Sequence, residues 1–247
     1  MSSPDLPLSG RFAVWFAAWT SGQVSLDDAR DAIVAGDAAH DVAGIPGGPS
    51  GGEAAPLIVA LGLLRQCGGA GAGVALPVPG DPLGLAGPAA FNEQALEAGE
   101  AVVLEGADLG LVPHRAGAGV VWTCRAAASQ RQVPDAAEAD TGLRQALLGT
   151  AQALADLDVA RWRPEVADEL MALRRPARLP LPEALPPRAV RLASTAARCL
   201  TIVDLALDDD GGAVTAWEAD QRRQALAPLE QAARRAMVAA CSSSSWR

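Results

Sequence analysis

Three features of the chain predict an α+β fold, with a small mixed or antiparallel sheet at about residues 70–126 flanked by N-terminal helices and covered by C-terminal helices. Between residues 73 and 126 the apolar runs are short and punctuated by glycine. Several gaps between those runs, such as GAD (106–108) and HRAGA (114–118), are hairpin-sized and too short for a helix. From Asp135 onward the apolar spacing changes to the helical period. The corresponding regions are a sheet-containing part, 1–130, and a helical part, 135–247, expected to pack on the first as one unit.

The elements follow in order. RFAVWFAAW (11–19) reads as a short apolar helix. SLDDARDAIVAG (25–36) opens a second, with Ser25 three residues before Asp28 in a capping-box-like start whose acids suit a helix N-terminus. GIPGGPSGGEAAP (44–56) is a Gly/Pro-rich loop, after which Pro56 starts the helix LIVALGLLRQC. GVALPVP (73–79), EAVVLEG (100–106), LGLVP (109–113) and GVVWTCRA (119–126) are the strands. PAAFNEQALEAG, between the first two, has room for a helical crossover.

In the C-terminal part, Leu143, Leu147, Leu154, Leu157 and Arg161 trace one helical face. The five prolines of PARLPLPEALPP (176–187) demand an extended connector. Leu192, Ala196, Cys199, Val203 and Leu207 mark a further helix, and DDDGG (208–212) ends it. Thr215 and Glu218 cap the last segment, which Pro228 should kink or divide. The tail CSSSSWR is expected to fray.

Composition narrows function mostly by exclusion. All 20 basic residues are arginine, and tyrosine is absent as well. Schiff-base lysines, the P-loop lysine, the kinase lysine and a tyrosine acid are therefore ruled out. Cys67, Cys124, Cys199 and Cys241 stand too far apart for a zinc or dithiol motif, so no metal is expected, and no cofactor signature is present. No signal-peptide pattern opens the chain, and the longest aliphatic run, LIVALGLL, is too short to span a bilayer. A cytoplasmic location without membrane association is the expectation.

Residues 1–142 carry six arginines against 16 acids, a balance of −10, whereas residues 143–247 carry 14 against 13. The acidic field disfavours nucleic acid, for which only 161–198, with eight arginines and four acids, offers a basic stretch. Charged helix faces or pairing with the acidic half is the plainer account of those arginines.

LPVPGDPLGLAGP (76–88) holds four prolines and three glycines. A strand ending in such a loop and feeding a helix near Pro88 would offer free N–H groups to a ligand, which makes Gly80, Asp81, Gly84 and Gly87 the candidate ligand-binding residues. The glycine spacing fits neither the dinucleotide fingerprint nor the P-loop, and Asp81 opposes an anion, so a stiff turn at the sheet edge is the favoured reading. Glu93 and Glu97 share a helix face, as a solvated pair most often does. His114 and Cys124, oriented by Glu105 or Asp108, make the one thiol–imidazole pair the hairpin allows near the loop. The VVWTC context of Cys124 reads as buried, against that chemistry. His40, beside Asp37 and Asp41, reads as a surface or strand-edge histidine. Trp15 and Trp19, four apart, read as core, with an aromatic interaction patch as the alternative.

GDPLGLAGPAAFNEQALEAGEAV (80–102), with VAGIPGG upstream and VARWRPEVADEL (159–170) downstream, resembles an uncharacterised family of conserved proteins from high-GC bacteria over most of the chain. The resemblance implies no activity and no catalytic residues. The expectation is therefore a non-enzymatic cytoplasmic interaction or ligand-binding protein that self-associates as a homodimer and admits a small-molecule ligand. The alternative is a hydrolase or acyl-transfer enzyme using Cys124 and His114, and nucleic-acid binding through 161–198 stands third.

Overall fold

The computed structural model describes residues 4–49, 53–156, 179–208 and 216–246. It is α+β, with a six-stranded mixed sheet and helices on both faces. The strands are β1 (His40–Ala43), β2 (Ala55–Pro56), β3 (Gly71–Ala75), β4 (Ala101–Glu105), β5 (Leu109–Ala116) and β6 (Gly119–Ala126), in the order β2-β1-β6-β5-β4-β3. Among the described residues only β1 and β6 pair in parallel; every other neighbouring pair is antiparallel. The helices are α1 (Leu8–Thr20), α2 (Leu26–Val34), α3 (Leu57–Gln66), α4 (Ala89–Ala98), α5 (Ala136–Asp156), α6 (Pro187–Asp208) and α7 (Ala216–Cys241).

Strand alternation divides the core between the two faces of the sheet. Val74, Val102, Leu104, Leu111, Trp122 and Cys124 face α1 and the C-terminal helices. Ala75, Ala101, Val103 and Val112 face α4, whose Phe91 and Ala95 cover them. The α1 segment is apolar almost all round, and such a helix belongs inside a core. Phe12 and Phe16 are fully buried, and Phe12 packs against Trp122 in a tilted arrangement with ring centroids 5.0 Å apart. Trp19 is buried, and half-buried Trp15 donates its indole N–H to the Pro180 carbonyl at 3.1 Å. These rings pack the core, as the plainer reading held.

Local signals account for several boundaries. Ser25 Oγ accepts the Asp28 N–H at 3.0 Å and caps α2, and Asp135 Oδ1 accepts from Ala137 and Glu138 to cap α5. Pro187 takes the first position of α6, where a missing N–H costs nothing.

Four expectations are corrected. The helix between β3 and β4 is an excursion, because those strands pair antiparallel with Val74 opposite Val102, and no crossover is needed. The helix α7 is not divided at Pro228, one of the two outcomes expected there: it runs through the proline as one element, with Leu226, Leu229 and Ala233 buried on either side. His40 is 2% exposed and lies in β1, between β2 and β6, so it is neither at the surface nor at the sheet's edge. The tail is ordered: Ser242 Oγ accepts the Val74 N–H at 3.1 Å, and Ser243 Oγ accepts from Ala72 N and donates to Ala72 O. These serines occupy the open edge of β3 in place of a seventh strand.

Residues 157–178, which hold VARWRPEVADEL, the Leu157 and Arg161 of the first C-terminal face and five of the eight arginines of 161–198, lie outside the described residues, as do Thr215 and the DDGG of the 208–212 run. Among the described residues no helix is long and apolar enough to cross a membrane.

Candidate functional site

After β3 the chain folds back on itself before α4. Leu76 N–H bonds to Leu83 O at 3.1 Å, and Val78 and Asp81 exchange both backbone bonds around Pro79–Gly80. Proline followed by a residue with φ near +80° is the type II pattern, and Gly80 has φ +85°. Gly84 has φ +83°, and a Cβ there would stand 2.7 Å from the Val74 carbonyl oxygen, so both conformation and space demand glycine. The stretch 76–88 is thus the stiff turn that its composition suggests.

Two arginines from distant segments, half-buried Arg131 and buried Arg234, hold this turn. Arg131 donates through Nη1 to Val74 O at 2.8 Å and to Gly84 O at 3.2 Å, and through Nη2 to Ser242 Oγ at 3.1 Å. Burial, opposed only by Glu105, lowers its pKa to about 10. Arg234, on α7, donates to Leu76 O at 2.8 Å and to Asp81 Oδ2 at 3.0 Å. Asp81 is therefore the counter-ion of a buried cation.

Between the turn and residues 130–135 opens a cavity of about 920 Å³, within the range that holds small ligands. Asp81 and Gly84 line it, joined by Gln130, Arg131, Glu138 and Arg235, with Leu85 and Val133 as apolar wall. Gly80 and Gly87 do not line it. Gly80 turns the chain, and Gly87 bonds through its N–H to Asn92 Oδ1 and through its carbonyl to Ala128 N. Two of the four residues expected at a ligand site thus reach the cavity.

His114 and Cys124 are not brought together. On the β5–β6 ladder His114 faces Val121 and Cys124 faces Leu111, three positions away, so alternation puts them on opposite faces of the sheet. Cys124 is 4% exposed and burial drives its thiol up to about 12. Glu93 and Glu97 are exposed, as a solvated pair would be.

A second cluster gathers round Asp37 and His40, neighbours in the sequence, with arginines that the sequence does not connect to them. Asp37 Oδ2 accepts from Arg11 Nη2 at 2.6 Å and from His40 Nε2 at 2.9 Å, and its other oxygen accepts from Arg115. His40 Nδ1 in turn accepts the Trp122 indole N–H at 3.2 Å, which fixes the neutral Nε2–H tautomer. Burial pushes the imidazole pKa below its ordinary value, outweighing the pull of Asp37. Burial also works to raise Asp37, but the three donors overcome it and hold the carboxyl at about 2. With both nitrogens engaged, His40 is a structural link between β1, β6 and α1. Arg11 belongs to an apolar helix and Asp37 to a loop, and only the fold joins them.

Residues 9–139 match the family model of the Rv1486c-like protein N-terminal domain, and residues 137–238 match that of its C-terminal domain. The uncharacterized protein Rv1486c of Mycobacterium tuberculosis strain ATCC 25618 / H37Rv is 28% identical, in an alignment covering 100% of this chain and 99% of the relative. Protein MT1533 of Mycobacterium tuberculosis strain CDC 1551 / Oshkosh matches with the same identity and coverage. No solved structure matches the chain.

Proposed function

The chain belongs to the Rv1486c-like protein family, and from that premise we propose that it is a non-enzymatic cytoplasmic protein that binds a small polar organic molecule in the cavity beside residues 76–88. One observation carries the reading: a cavity of about 920 Å³ has a wall held by the hydrogen bonds of two arginines, half-buried Arg131 and buried Arg234, so little ordering remains for a ligand to impose. Its lining mixes Glu138 and Arg235 with Gln130, Leu85 and Val133, which suits a molecule with both polar and apolar parts. The placement of His114 and Cys124 on opposite sheet faces counts against acyl-transfer or hydrolytic chemistry by that pair.

A thermal-shift screen of polar metabolites tests it, since a ligand that binds only the folded state raises the melting temperature with its concentration. A hit should weaken in Glu138→Gln and Arg235→Gln; hits indifferent to both would overturn the assignment. Self-association as a homodimer is part of the same proposal. Light scattering at micromolar concentration should give twice the monomer mass of 25.2 kDa, and a monomer at every dilution would remove it.

A further inference from the structure

A second cleft, of about 620 Å³, lies between the start of α1, the end of α4 and the outer end of β5. Its charged residues come from separate elements: Asp5 and Arg11 from the N-terminal segment, Glu100 from the turn before β4, and His114 and Arg115 from β5. Pro7, Leu8, Ala98 and Pro113 supply an apolar wall.

The two arginines of the cleft share one carboxylate partner, and Glu100 is held by a backbone N–H instead of by either of them. Arg11 and Arg115 both bond Asp37 behind the cleft, and Arg11 is the more buried of the two. Glu100 Oε2 accepts the Ser9 N–H at 2.7 Å, at the uncapped first turn of α1. Among the described residues no ion pair joins Glu100 to either arginine, although both lie near enough to act on it electrostatically. Burial nonetheless raises the Glu100 carboxyl above its ordinary range. Arg115 keeps donors beyond the one given to Asp37 and is 59% exposed, and the buried Arg11 Nε has no partner. Two arginines and three carboxylates, Asp5, Asp37 and Glu100, give the cleft both signs and a small negative excess, so it favours a ligand that itself carries both signs over a simple anion.

We propose that this cleft binds a small zwitterion of the amino-acid type, its ammonium on Glu100, its carboxylate on Arg115 and an aliphatic side chain on Pro7, Leu8 and Pro113. The ligand adds to the pairing already present: Glu100, which takes its hydrogen bonds from Ser9 and not from a cation, gains a charged donor, and the free edge of the Arg115 guanidinium gains a carboxylate.

The test is a calorimetric and thermal-shift panel of free aliphatic amino acids on the full chain, with the N-acetyl and amide derivatives of any hit. At least one free amino acid should bind, and blocking either end should weaken it about tenfold or more. Glu100→Gln keeps an acceptor for Ser9 N–H and should lose discrimination against the N-acetyl form; Arg115→Gln should lose discrimination against the amide. Because the derivative series uses wild-type protein, a variant that folds poorly does not decide the matter. A panel without binding, or a hit indifferent to both blocked ends, would overturn the proposal. So would a hit that survives both cleft variants and vanishes in Glu138→Gln, which would place the ligand in the larger cavity.

Discussion

The guanidinium of Arg131 crosses β3 at Gly73, where a Cβ would stand 1.6 Å from Nη2. Gly73→Ala must therefore displace Arg131 and strand the carbonyls of Val74 and Gly84 that it serves. The expected loss is about 2 to 4 kcal/mol, the usual scale for unsatisfying buried polar groups. Urea denaturation measures it. Arg131→Ala should cost a similar amount, and the double variant less than the sum of the two, since one contact accounts for both.

Asp81→Asn should destabilise by about 1 to 3 kcal/mol, because Arg234 is 10% exposed and loses its nearest charge. Glu230, 3.7 Å from Arg234 Nε, moderates the effect. Gly84→Ala should cost about 3 kcal/mol, combining a left-handed backbone with a clash against Val74 O. Chemical denaturation of the two variants ranks them, and an Asp81→Asn protein as stable as wild type would mean that the Arg234 pair contributes nothing.

The sheet from β3 to β6 was legible because short, glycine-punctuated runs and hairpin-sized gaps are local signals. The strands β1 and β2 were not: HDVA and AP are four and two residues long, and β1 joins the sheet through a parallel pairing with β6 about 80 residues on. Asp81 and Gly84 could be read because turn chemistry is written in glycine and proline. Arg131, Arg234 and Arg11 could not, since arginine is ordinarily a surface residue and nothing nearby in sequence marks the carbonyls or carboxylates that let it be buried. The ordered tail escaped for the same reason. Four consecutive serines look unstructured until an unpaired strand edge is found beside them.

Stability should fall in acid in two windows. The native His40 pKa lies below the unfolded value near 6.5, so the unfolded chain takes up the proton first. The neutral imidazole's contribution is therefore complete above pH 6.5 and is lost as pH drops below it. The sign has a direct cause, because a proton on Nδ1 would confront the Trp122 N–H. Asp37, at about 2 against 3.8 unfolded, contributes roughly 2 kcal/mol above pH 3.8 that disappears as pH falls through 2. Denaturation at a series of pH values should show both declines, and His40→Gln should abolish the first.

Thiol labelling should separate Cys67 from the other three. Cys124, Cys199 and Cys241 are buried, and burial lifts their thiols to about 12, 11 and 12, so thiolate is scarce at neutral pH. Cys67 alone is partly exposed. A disulfide reagent at pH 7 should modify one thiol quickly and the rest only on unfolding, with mass spectrometry placing the fast site. Rapid modification of Cys124 would contradict its burial.

Removal of the tail tests the edge of the sheet. Ser242 and Ser243 satisfy Val74 N, Ala72 N and Ala72 O, Ser242 also accepts from Arg131, and Ser244 N donates to Glu105 Oε1. A chain ending at Cys241 loses all of these contacts and exposes β3 as an unpaired edge, a template for another strand. The truncated protein should melt lower and aggregate on warming, with light scattering rising before the unfolding midpoint. Ser242→Ala alone should lower stability by about 1 to 3 kcal/mol, since the buried Val74 N–H loses its acceptor. Trp246→Ala separates the alternatives: its indole N–H is given to Ala240 O at 3.0 Å and not to the strand edge, so the change should lower the melting point without promoting aggregation. Equal aggregation of both variants would mean that the tail acts by bulk cover and not by occupying the strand's hydrogen-bonding positions.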